Sequence, residues 1–503
     1  MVSKVLSATA IGYSGEIIEV ESDSAKGLPA LQIVGMGSKA IDESRERVRS
    51  AIKNSDLDFP KSKITINLAP AEIPKDGTSL DLPIAISILI IGKQLNQKDV
   101  DGRAFAGELS LSGDLRPIKG ILNIVEKLRE SGIEEVFIPL ENYNQASLIE
   151  GIKIIPAKNL RDIFLHLKGE LEIPIKDFTP EILTSQNNIA LSDIIDQGQA
   201  KRALTIAIAG RHNILLTGPP GTGKTMLAQA ALSLLPELTK DELLEVAKIH
   251  GLVEDVDIFN LSRPFRAPHH TASRISIVGG GPRALPGEIS LAHTGVLFLD
   301  EIPEYPKSIL ETLRQPLEDK KITISRTKYR STYPADFMLI ATMNPCPCGY
   351  FGDQAKQCTC STSQILNYQR KLSGPLLDRI DMVVTVNRIN NEKLVSEGKK
   401  DNNQNISAIK QIEVSSELQH KRYDSCKKYN GSAKTSEAKT KFNLSPAAKN
   451  LLDTATAKLD ISARGYLKIL KVARTIADME SSETIQPNHI SEALQYRHRQ
   501  ETL

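Results

Sequence analysis

The sequence has no long apolar run, almost no excess charge of either sign and only five cysteines. With 63 Lys and Arg against 61 Asp and Glu, the net charge of +2 does not indicate a nucleic-acid partner, so any basic surface has to be local. Residues 1–17 lack the uninterrupted apolar segment of a signal peptide, and the most apolar later run, 82–91, is too short to span a bilayer. These absences predict a cytoplasmic protein that does not span a membrane.

Cysteine is scarce, and four of the five cysteines fall in one short window. This clustering favours a metal site in a reducing compartment over a disulfide framework. Two Cys-x-Cys pairs supply four thiolates, the ligand set of a tetrahedral structural Zn²⁺ site, and free reduced thiols are the alternative. The expected ligands are Cys346, Cys348, Cys358 and Cys360. Cys426 stands alone and is expected to be inert.

The length of 503 residues exceeds what one hydrophobic core usually serves, so two or three domains are expected. Composition shifts divide the chain into an α+β domain (1–170), a polar linker (171–188), a nucleotide-binding core (189–385), a polar Lys-rich insertion (386–442) and a helical lid (443–503). The insertion has few apolar residues and is expected to be mobile. Its basic pairs leave nucleic-acid contact open, although such charge runs are more often solvated.

Residues 213–225 read Asn-Ile-Leu-Leu-Thr-Gly-Pro-Pro-Gly-Thr-Gly-Lys-Thr and match the phosphate-binding pattern G-x-x-x-x-G-K-[ST]. The pattern predicts a strand, a glycine-rich loop and a helix over 226–235, whose N-terminus and backbone N–H groups face the phosphates. Lys224 is expected to reach the β- and γ-phosphates, and the Thr225 hydroxyl to bind Mg²⁺. A structural glycine turn is the alternative. The predicted ATP-binding residues here are Gly218, Pro219, Pro220, Gly221, Thr222, Gly223, Lys224 and Thr225.

Two later apolar runs end in polar residues, as parallel strands beside a phosphate loop do. The run 295–299 is followed by Asp300 and Glu301. Asp300 is expected to hold Mg²⁺, and Glu301 to polarise the water that attacks the γ-phosphate. The run 337–343 is followed by Asn344, which is expected to orient that water or the γ-phosphate.

The order of these motifs resembles that of AAA+ ATPases. The resemblance implies that the segment 191–204 covers the adenine of ATP, with Ile194, Ile195 and Gly198 as base contacts. It also implies that Arg379 reaches the nucleotide of a neighbouring subunit and neutralises charge in the transition state. Arg464, at the start of an amphipathic helix, resembles the sensor 2 arginine of the lid. For either arginine taken alone, a solvated surface charge is the alternative.

Three longer segments, 263–271, 344–349 and 373–381, resemble the magnesium-chelatase-like ComM/YifB family, and the resemblance covers nearly the whole chain. This AAA+ branch carries an insert in helix 2 of its core, here 277–288, and a hairpin before the polar residue called sensor 1, here Asn344. The hairpin corresponds to 320–334, where Ile322, Ile324 and Arg326 alternate as in a strand. The resemblance implies a homo-hexameric ring that hydrolyses ATP to move on DNA. Branch migration in homologous recombination and natural transformation is the family's activity.

Basic side chains of the insert and the hairpin are expected to line a central pore and contact DNA phosphates without reading bases. They are Arg283, Arg326, Lys328 and Arg330. A solvated hairpin is the alternative. The second interpretation of the chain is a magnesium chelatase ATPase subunit, which serves metal insertion into a porphyrin. A non-enzymatic scaffold would require a broken ATP site, and the predicted site residues are all present.

The first third of the chain resembles the proteolytic domain of Lon proteases. Strands are predicted at 15–20, 31–34, 63–68, 103–109 and 136–139, with helices at 39–53 and 84–91. Ser79 occupies the position of the Lon nucleophile, whereas Leu122 stands where the Lon family has its lysine base, which leaves only Lys119 nearby. Because a serine without an adjacent base is not activated, an assembly module is expected rather than a peptidase. The expected fold is therefore α/β: a P-loop AAA+ core with a parallel sheet, a helical lid, and an α+β Lon-like domain in front.

Overall fold

The computed structural model describes residues 2–35, 39–73, 75, 78–175, 189–254, 262–281, 284–325, 330–353, 356–388 and 403–497. Arg283, Arg326 and Lys328 of the predicted DNA-contacting set lie outside these ranges, as does most of the predicted linker 171–188. Among the described helices, none has both the length and the apolar character needed to cross a membrane.

A seven-stranded mixed sheet organises the N-terminal domain. Its elements are β1 (Val2–Ile11), β2 (Ser14–Ala25), β3 (Ala30–Val34), α1 (Lys39–Asn54), β4 (Lys63–Ala69), α2 (Asp81–Ile91), β5 (Arg103–Phe105), β6 (Glu108–Leu109), β7 (Leu115–Arg116), α3 (Ile121–Glu130), β8 (Glu135–Pro139), α4 (Tyr143–Ala146), β9 (Lys153–Ala157) and α5 (Leu160–Leu167). The sheet order is β3-β4-β2-β1-β5-β8-β9, and β6 pairs with β7 separately. Helix α2 is buried along its whole length, which explains why its sequence is apolar on every face.

The predicted strands of this domain are present, with two differences. The single strand predicted over 103–109 is divided between β5 and β6, which belong to different sheets. Strands β1, β7 and β9 are not among the predictions, although β1 forms a ten-residue antiparallel pair with β2. That pair ends in a tight turn at Gly12 and Tyr13.

A five-stranded parallel sheet organises the second domain. Its elements are α6 (Gly198–Gly210), β10 (Ile214–Thr217), α7 (Lys224–Ala230), α8 (Lys240–His250), β11 (Phe265–Arg266), α9 (Arg274–Val278), β12 (Gly279–Gly280), β13 (Leu285–Pro286), α10 (Glu288–Leu291), β14 (Val296–Leu299), α11 (Lys307–Thr312), α12 (Arg314–Asp319), β15 (Lys321–Ser325), β16 (Arg330–Pro334), β17 (Met338–Met343), α13 (Thr362–Gln369), α14 (Gly374–Leu377) and β18 (Met382–Thr385). The order β11-β14-β17-β10-β18 is parallel at every pairing, which confirms the predicted sheet. Because parallel strands bring their carboxyl ends to one edge, the residues that follow β10, β14 and β17 meet there.

Two small pairs of strands stand outside this sheet. Strands β12 and β13 lie in the predicted helix 2 insert, and β15 and β16 form the predicted hairpin. Ile322 and Ile324 are buried as the alternation predicts, with Ile322 opposite Tyr333. The two pairs touch, because a Cβ built on Gly279 would lie 2.7 Å from Cδ1 of Ile324.

The C-terminal part is helical. Its elements are α15 (Asn403–Tyr423), α16 (Thr435–Lys441), α17 (Pro446–Lys458), α18 (Ala463–Met479) and α19 (Pro487–Gln495). This differs from the mobile insertion predicted over 386–442, because α15 buries Ala408, Ile412 and Tyr423 in the core shared with α6 and α18. Its apolar residues recur at helical intervals within a polar sequence, so low average hydrophobicity conceals one buried face.

Candidate functional site

The phosphate-binding loop connects β10 to α7 and depends on its glycines. A Cβ built on Gly218 would lie 2.2 Å from the carbonyl oxygen of Val386. Gly221 and Gly223 have φ values of +77° and +84°, the left-handed region that favours glycine. A Cβ would therefore be blocked at Gly218 and would strain the backbone at Gly221 and Gly223. Helix α7 begins directly after this loop at Lys224.

The Lys224 amine lies inside this loop. Its Nζ donates to the carbonyl oxygens of Gly218 at 2.6 Å and Pro219 at 2.8 Å, and to Oδ1 of Asn344 at 3.2 Å. Burial lowers the pKa of Lys224 to about 8. The amine is thus held beside the predicted phosphate position by acceptors that phosphate oxygens can replace.

The polar residues that follow β14 and β17 form one hydrogen-bonded group with the loop. Thr225 Oγ1 donates to Oδ2 of Asp300 at 3.4 Å. Glu301 has a φ of +50°, and its backbone N–H donates to Oγ1 of Thr342 at 2.9 Å. Nδ2 of Asn344 lies 3.5 Å from Oε1 of Glu301. The structure thus brings together the lysine, threonine, aspartate, glutamate and asparagine that the sequence predicts.

Thr342 is a site residue that the sequence prediction misses. Its hydroxyl is fully buried, donates to Oδ1 of Asp300 at 2.5 Å and accepts the N–H of Glu301. The sequence could have indicated this role, because Thr342 is the polar residue within the apolar strand β17. It lies two positions before Asn344 and so points to the same side of the sheet.

The segment before α6 lies beside the loop. Ile194 is buried in the core, whereas the Ile195 side chain is 43% exposed and available to a ligand. Gly198 begins α6, and the side chain of Gln197 donates to the carbonyl oxygen of Thr222 at 3.5 Å. A cleft of about 630 Å³ opens between this segment and the first turns of α15. Of the three predicted base contacts, only Gly198 lines this cleft. The burial of Ile194 makes that residue a support for the segment.

Arg379 and Arg464 form their ion pairs with residues outside this group. The Arg379 side chain is 11% exposed and pairs with Glu318 at 2.5 Å, and its Nε donates to the carbonyl oxygen of Arg314 at 3.1 Å. Arg464 is 61% exposed and pairs with Asp378 at 3.2 Å. Because Asp378 precedes Arg379 in the chain, both arginines belong to one patch.

The four clustered cysteines converge as the sequence predicts. Their sulfur atoms all lie within 4.8 Å of one another, with Cys346 3.3 Å from Cys348 and 3.7 Å from Cys358. A tetrahedral Zn²⁺ site with bonds of about 2.3 Å places its sulfurs about 3.8 Å apart, so the donor set fits a metal ion. The backbone N–H of Phe351 donates to Sγ of Cys346 at 3.3 Å. Such donors stabilise thiolates, and N–H groups of Tyr350 and Thr359 lower the pKa of Cys348 to about 5.

The loop that carries these cysteines touches the phosphate-binding loop. A Cβ built on Gly349, whose φ is +86°, would lie 2.7 Å from Cδ of Pro220 and 3.9 Å from Cγ of Asn344. On the other side of the cluster, Asp353 pairs with Arg388 at 3.1 Å. The cysteine loop therefore supports both the phosphate loop and the residue after β17.

In the N-terminal domain, the predicted serine and lysine positions do not form a dyad. Ser79 lies in the short turn Thr78–Leu80, and Leu122 is buried. Lys119, the alternative base, donates from Nζ to the carbonyl oxygen of Val253 at 2.6 Å. That contact engages the lysine at the interface with the second domain.

Three family models cover most of the chain. "Subunit ChlI of Mg-chelatase" matches residues 20–142, "Magnesium chelatase, subunit ChlI" matches 190–394, and "Magnesium chelatase, subunit ChlI C-terminal" matches 404–497. The competence protein ComM of Haemophilus influenzae is 40% identical over 502 residues, covering 98% of this chain and 97% of that protein. The chain belongs to the magnesium-chelatase-like ComM/YifB family.

A second ComM/YifB relative, the uncharacterized protein YifB of Escherichia coli, is 40% identical over 497 residues, with 98% of this chain and 97% of that protein covered. A Lon protease of Aster yellows witches'-broom phytoplasma is 30% identical over 165 residues, which cover 30% of this chain and 20% of that protein. ComM/YifB membership gives the second domain the AAA+ fold, and the N-terminal domain is Lon-like. The C-terminal match begins at residue 404, so α15 belongs with the C-terminal helices.

Proposed function

We propose that the protein is an ATP-driven ring motor that acts on DNA in the cytoplasm. The observation that carries the proposal is the convergence of Lys224, Thr225, Asp300, Glu301 and Asn344 at one edge of the parallel sheet. AAA+ ATPases use ATP with Mg²⁺ and commonly assemble into rings. The relative of 40% identity is named a competence protein, which supports branch migration in recombination and natural transformation as the setting.

The chemistry at this edge follows from the positions of the side chains. The Lys224 amine binds the β- and γ-phosphates after leaving its loop carbonyls. Thr225 and Asp300 would hold Mg²⁺, which neutralises phosphate charge when bound. Glu301 accepts a proton from the attacking water, and Asn344, within reach of both Lys224 and Glu301, orients that water or the γ-phosphate.

Arg379 completes the site of a neighbouring subunit in a homo-hexamer, and Arg464 serves as the sensor 2 arginine of the lid. The contacts of Arg379 support this proposal, since they are with Glu318, Arg314 and Pro375 and not with residues of the phosphate loop. A guanidinium supplied across an interface stabilises transition-state charge. Assembly would require Arg379 to exchange Glu318 for phosphate oxygens of the partner's nucleotide.

Structural Zn²⁺ is proposed for the four-cysteine cluster. The Sγ distances fit a tetrahedral ion. The contact of Gly349 with Pro220 connects the cysteine loop to the phosphate loop, so an ion in the cluster would have a structural role. By cross-linking the cysteine loop, the metal would stiffen the surface on which the phosphate loop and Asn344 rest.

DNA is proposed to pass the hairpin β15–β16. Arg330 is exposed at the start of β16, and the intervening residues 326–329 include Arg326 and Lys328. Contact through Arg and Lys to phosphates would be independent of sequence. The deciding experiment measures ATP turnover with duplex, forked and four-way DNA, and remodelling of the junction. The alternative, a magnesium chelatase ATPase subunit, predicts turnover that ignores DNA and responds to porphyrin-binding partners.

A further inference from the structure

The turn between β1 and β2 of the N-terminal domain lies directly against the hairpin of the AAA+ domain. A Cβ built on Gly12 would lie 2.3 Å from Oγ of Ser331, so the turn and β16 are in contact. The next residue, Tyr13, has its ring centroid 6.4 Å from that of Tyr333, with an angle of 67° between the ring planes. This edge-to-face arrangement is a favourable one for two aromatic rings.

The turn is fixed on its other side by its own domain. Nδ2 of Asn123 in α3 donates to the carbonyl oxygen of Tyr13 at 2.8 Å. A Cβ built on Gly15 would lie 2.4 Å from the carbonyl oxygen of Asn123, so α3 lies directly on the turn. The Nζ of Lys248 in α8 is 4.3 Å from the centre of the Tyr13 ring and pairs with Glu126 of α3. Besides its contact with the hairpin, Tyr13 is therefore fixed by α3 of its own domain and by Lys248 of the second domain.

Tyr333 connects the hairpin to the helix 2 insert. Its side chain is fully buried, and its hydroxyl donates to the carbonyl oxygen of Ala284 at 2.7 Å. Ala284 precedes β13 of the insert. The turn, the hairpin and the insert thus meet at one aromatic side chain, and β16 continues after a short connection into β17 and Asn344.

We propose that the Lon-like domain positions the hairpin, with Tyr13 as the residue that does so through Tyr333. A hairpin that is fixed at its base transmits a force applied by DNA to β17. A hairpin that is free to move would shift under the same force and transmit less of it. The positioning of the hairpin by Tyr13, here called the positioning step, rests only on the contacts described above. The effect of this positioning on ATP turnover, here called the coupling, rests on the proposed action on DNA. A domain that carries Leu122 in place of the Lon lysine would thus serve the ATPase cycle without peptidase chemistry.

The test compares hydrogen exchange and ATP turnover in the full-length protein carrying Tyr13→Ala, Tyr13→Phe or Tyr143→Ala. Tyr143 packs in the core of the same domain and controls for the removal of a tyrosine ring there. Tyr13→Ala is expected to speed amide exchange in β15 and β16 by about threefold to tenfold, the factor that one aromatic pair carries, with β14 unchanged. It should also lower DNA-stimulated turnover while leaving turnover without DNA and the Kd for ATP unchanged.

Tyr13→Phe keeps the ring and should behave as the wild type in both measurements, and Tyr143→Ala should leave hairpin exchange unchanged. Hairpin exchange in Tyr13→Ala equal to that in Tyr143→Ala would overturn the positioning step. Faster exchange with full DNA stimulation would overturn the coupling. If DNA does not stimulate wild-type turnover, the proposed function fails, and the exchange comparison still decides whether Tyr13 positions the hairpin.

Discussion

The hydroxyl of Thr342 donates to Asp300 and accepts the backbone N–H of Glu301, so one side chain fixes the Asp300 carboxylate and the backbone at Glu301 in the candidate ATP site. The bond to Asp300 Oδ1 is 2.5 Å long, and it leaves Oδ2 facing the Thr225 hydroxyl at 3.4 Å. A carboxylate fixed in this way offers one oxygen to Mg²⁺ in a defined direction.

Thr342→Val keeps the branched shape of the side chain and removes the hydroxyl. We expect kcat for ATP hydrolysis to fall about tenfold to a hundredfold, because a hydrogen bond to a charged group contributes about 1.5–3 kcal/mol. The Kd for ATP should change little, since the phosphate loop is untouched. Thr342→Ser retains the hydroxyl and is the matched control. Steady-state turnover and nucleotide binding measure the two effects, and wild-type kcat in Thr342→Val would contradict the assignment.

The contact between the cysteine loop and the phosphate loop is tested by two glycines of the same backbone conformation. Gly349 and Gly352 have φ values of +86° and +77°, but a Cβ on Gly349 would meet Pro220 whereas one on Gly352 would meet open space. Gly349→Ala should therefore slow hydrolysis well beyond Gly352→Ala, because only the new methyl group at position 349 meets Pro220. Both variants place alanine at a similar positive φ, so Gly352→Ala controls for backbone strain. Equal turnover in the two variants would show that the contact has no part in the site.

Metal analysis addresses the cysteine cluster itself. Protein purified without chelators should contain about one Zn²⁺ per chain. Removal of the ion should slow hydrolysis more than it weakens ATP binding, because Asn344 rests against the cysteine loop. Substoichiometric zinc in the wild type, or equal zinc in a Cys348→Ser, Cys358→Ser variant, would argue for free thiols.

The convergence of the candidate ATP-binding residues could be predicted from the sequence because local rules place them. A parallel sheet brings Asp300, Glu301 and Asn344 to one edge, and the glycine pattern marks the loop. The support of Asn344 by Gly349 and the contact of Tyr13 with Tyr333 could not be predicted, since each joins segments that no periodicity relates. Helix α15 could not be predicted for another reason. Only about one in four of its residues is buried, so its average composition is that of a polar segment.

ATP affinity should depend on pH through Lys224. Burial lowers the pKa of this amine to about 8 in the nucleotide-free protein, and bound phosphates favour its charged form. As pH rises through about 8 the free protein loses the proton, so the Kd for ATP should rise by up to about tenfold per pH unit. Lys224→Arg remains charged and should give a flatter profile. Titration with a fluorescent nucleotide from about pH 7 to about pH 9 measures this, and a flat wild-type profile would contradict the low pKa.

Hydrolysis should require a neighbouring subunit. Arg379→Ala is expected to bind ATP and lose about a thousandfold in kcat, as an arginine supplied in trans contributes about that much or more. Mixing it with Glu301→Gln protein should restore part of the turnover, because some interfaces then pair an intact arginine with an intact site. Glu318→Gln is the control for breaking the Arg379 ion pair and should retain activity. Normal hydrolysis by Arg379→Ala alone would refute the assignment.

DNA should raise ATP turnover if the hairpin contacts its backbone. Charge reversal of Arg326 and Lys328 is expected to remove the stimulation and leave basal hydrolysis intact, whereas reversal of Lys321 at the exposed base of β15 is the control at a neighbouring basic residue. Because binding releases counterions, the logarithm of the DNA affinity should fall linearly with the logarithm of the salt concentration, with a slope of about −0.9 for each duplex phosphate that the protein neutralises.

Glu301→Gln should bind a four-way junction without remodelling it, since remodelling requires the hydrolysis that Glu301 supports. Equal turnover without DNA and with duplex, fork and junction at low salt would instead favour the chelatase subunit, whose energy of hydrolysis goes to a porphyrin-binding partner.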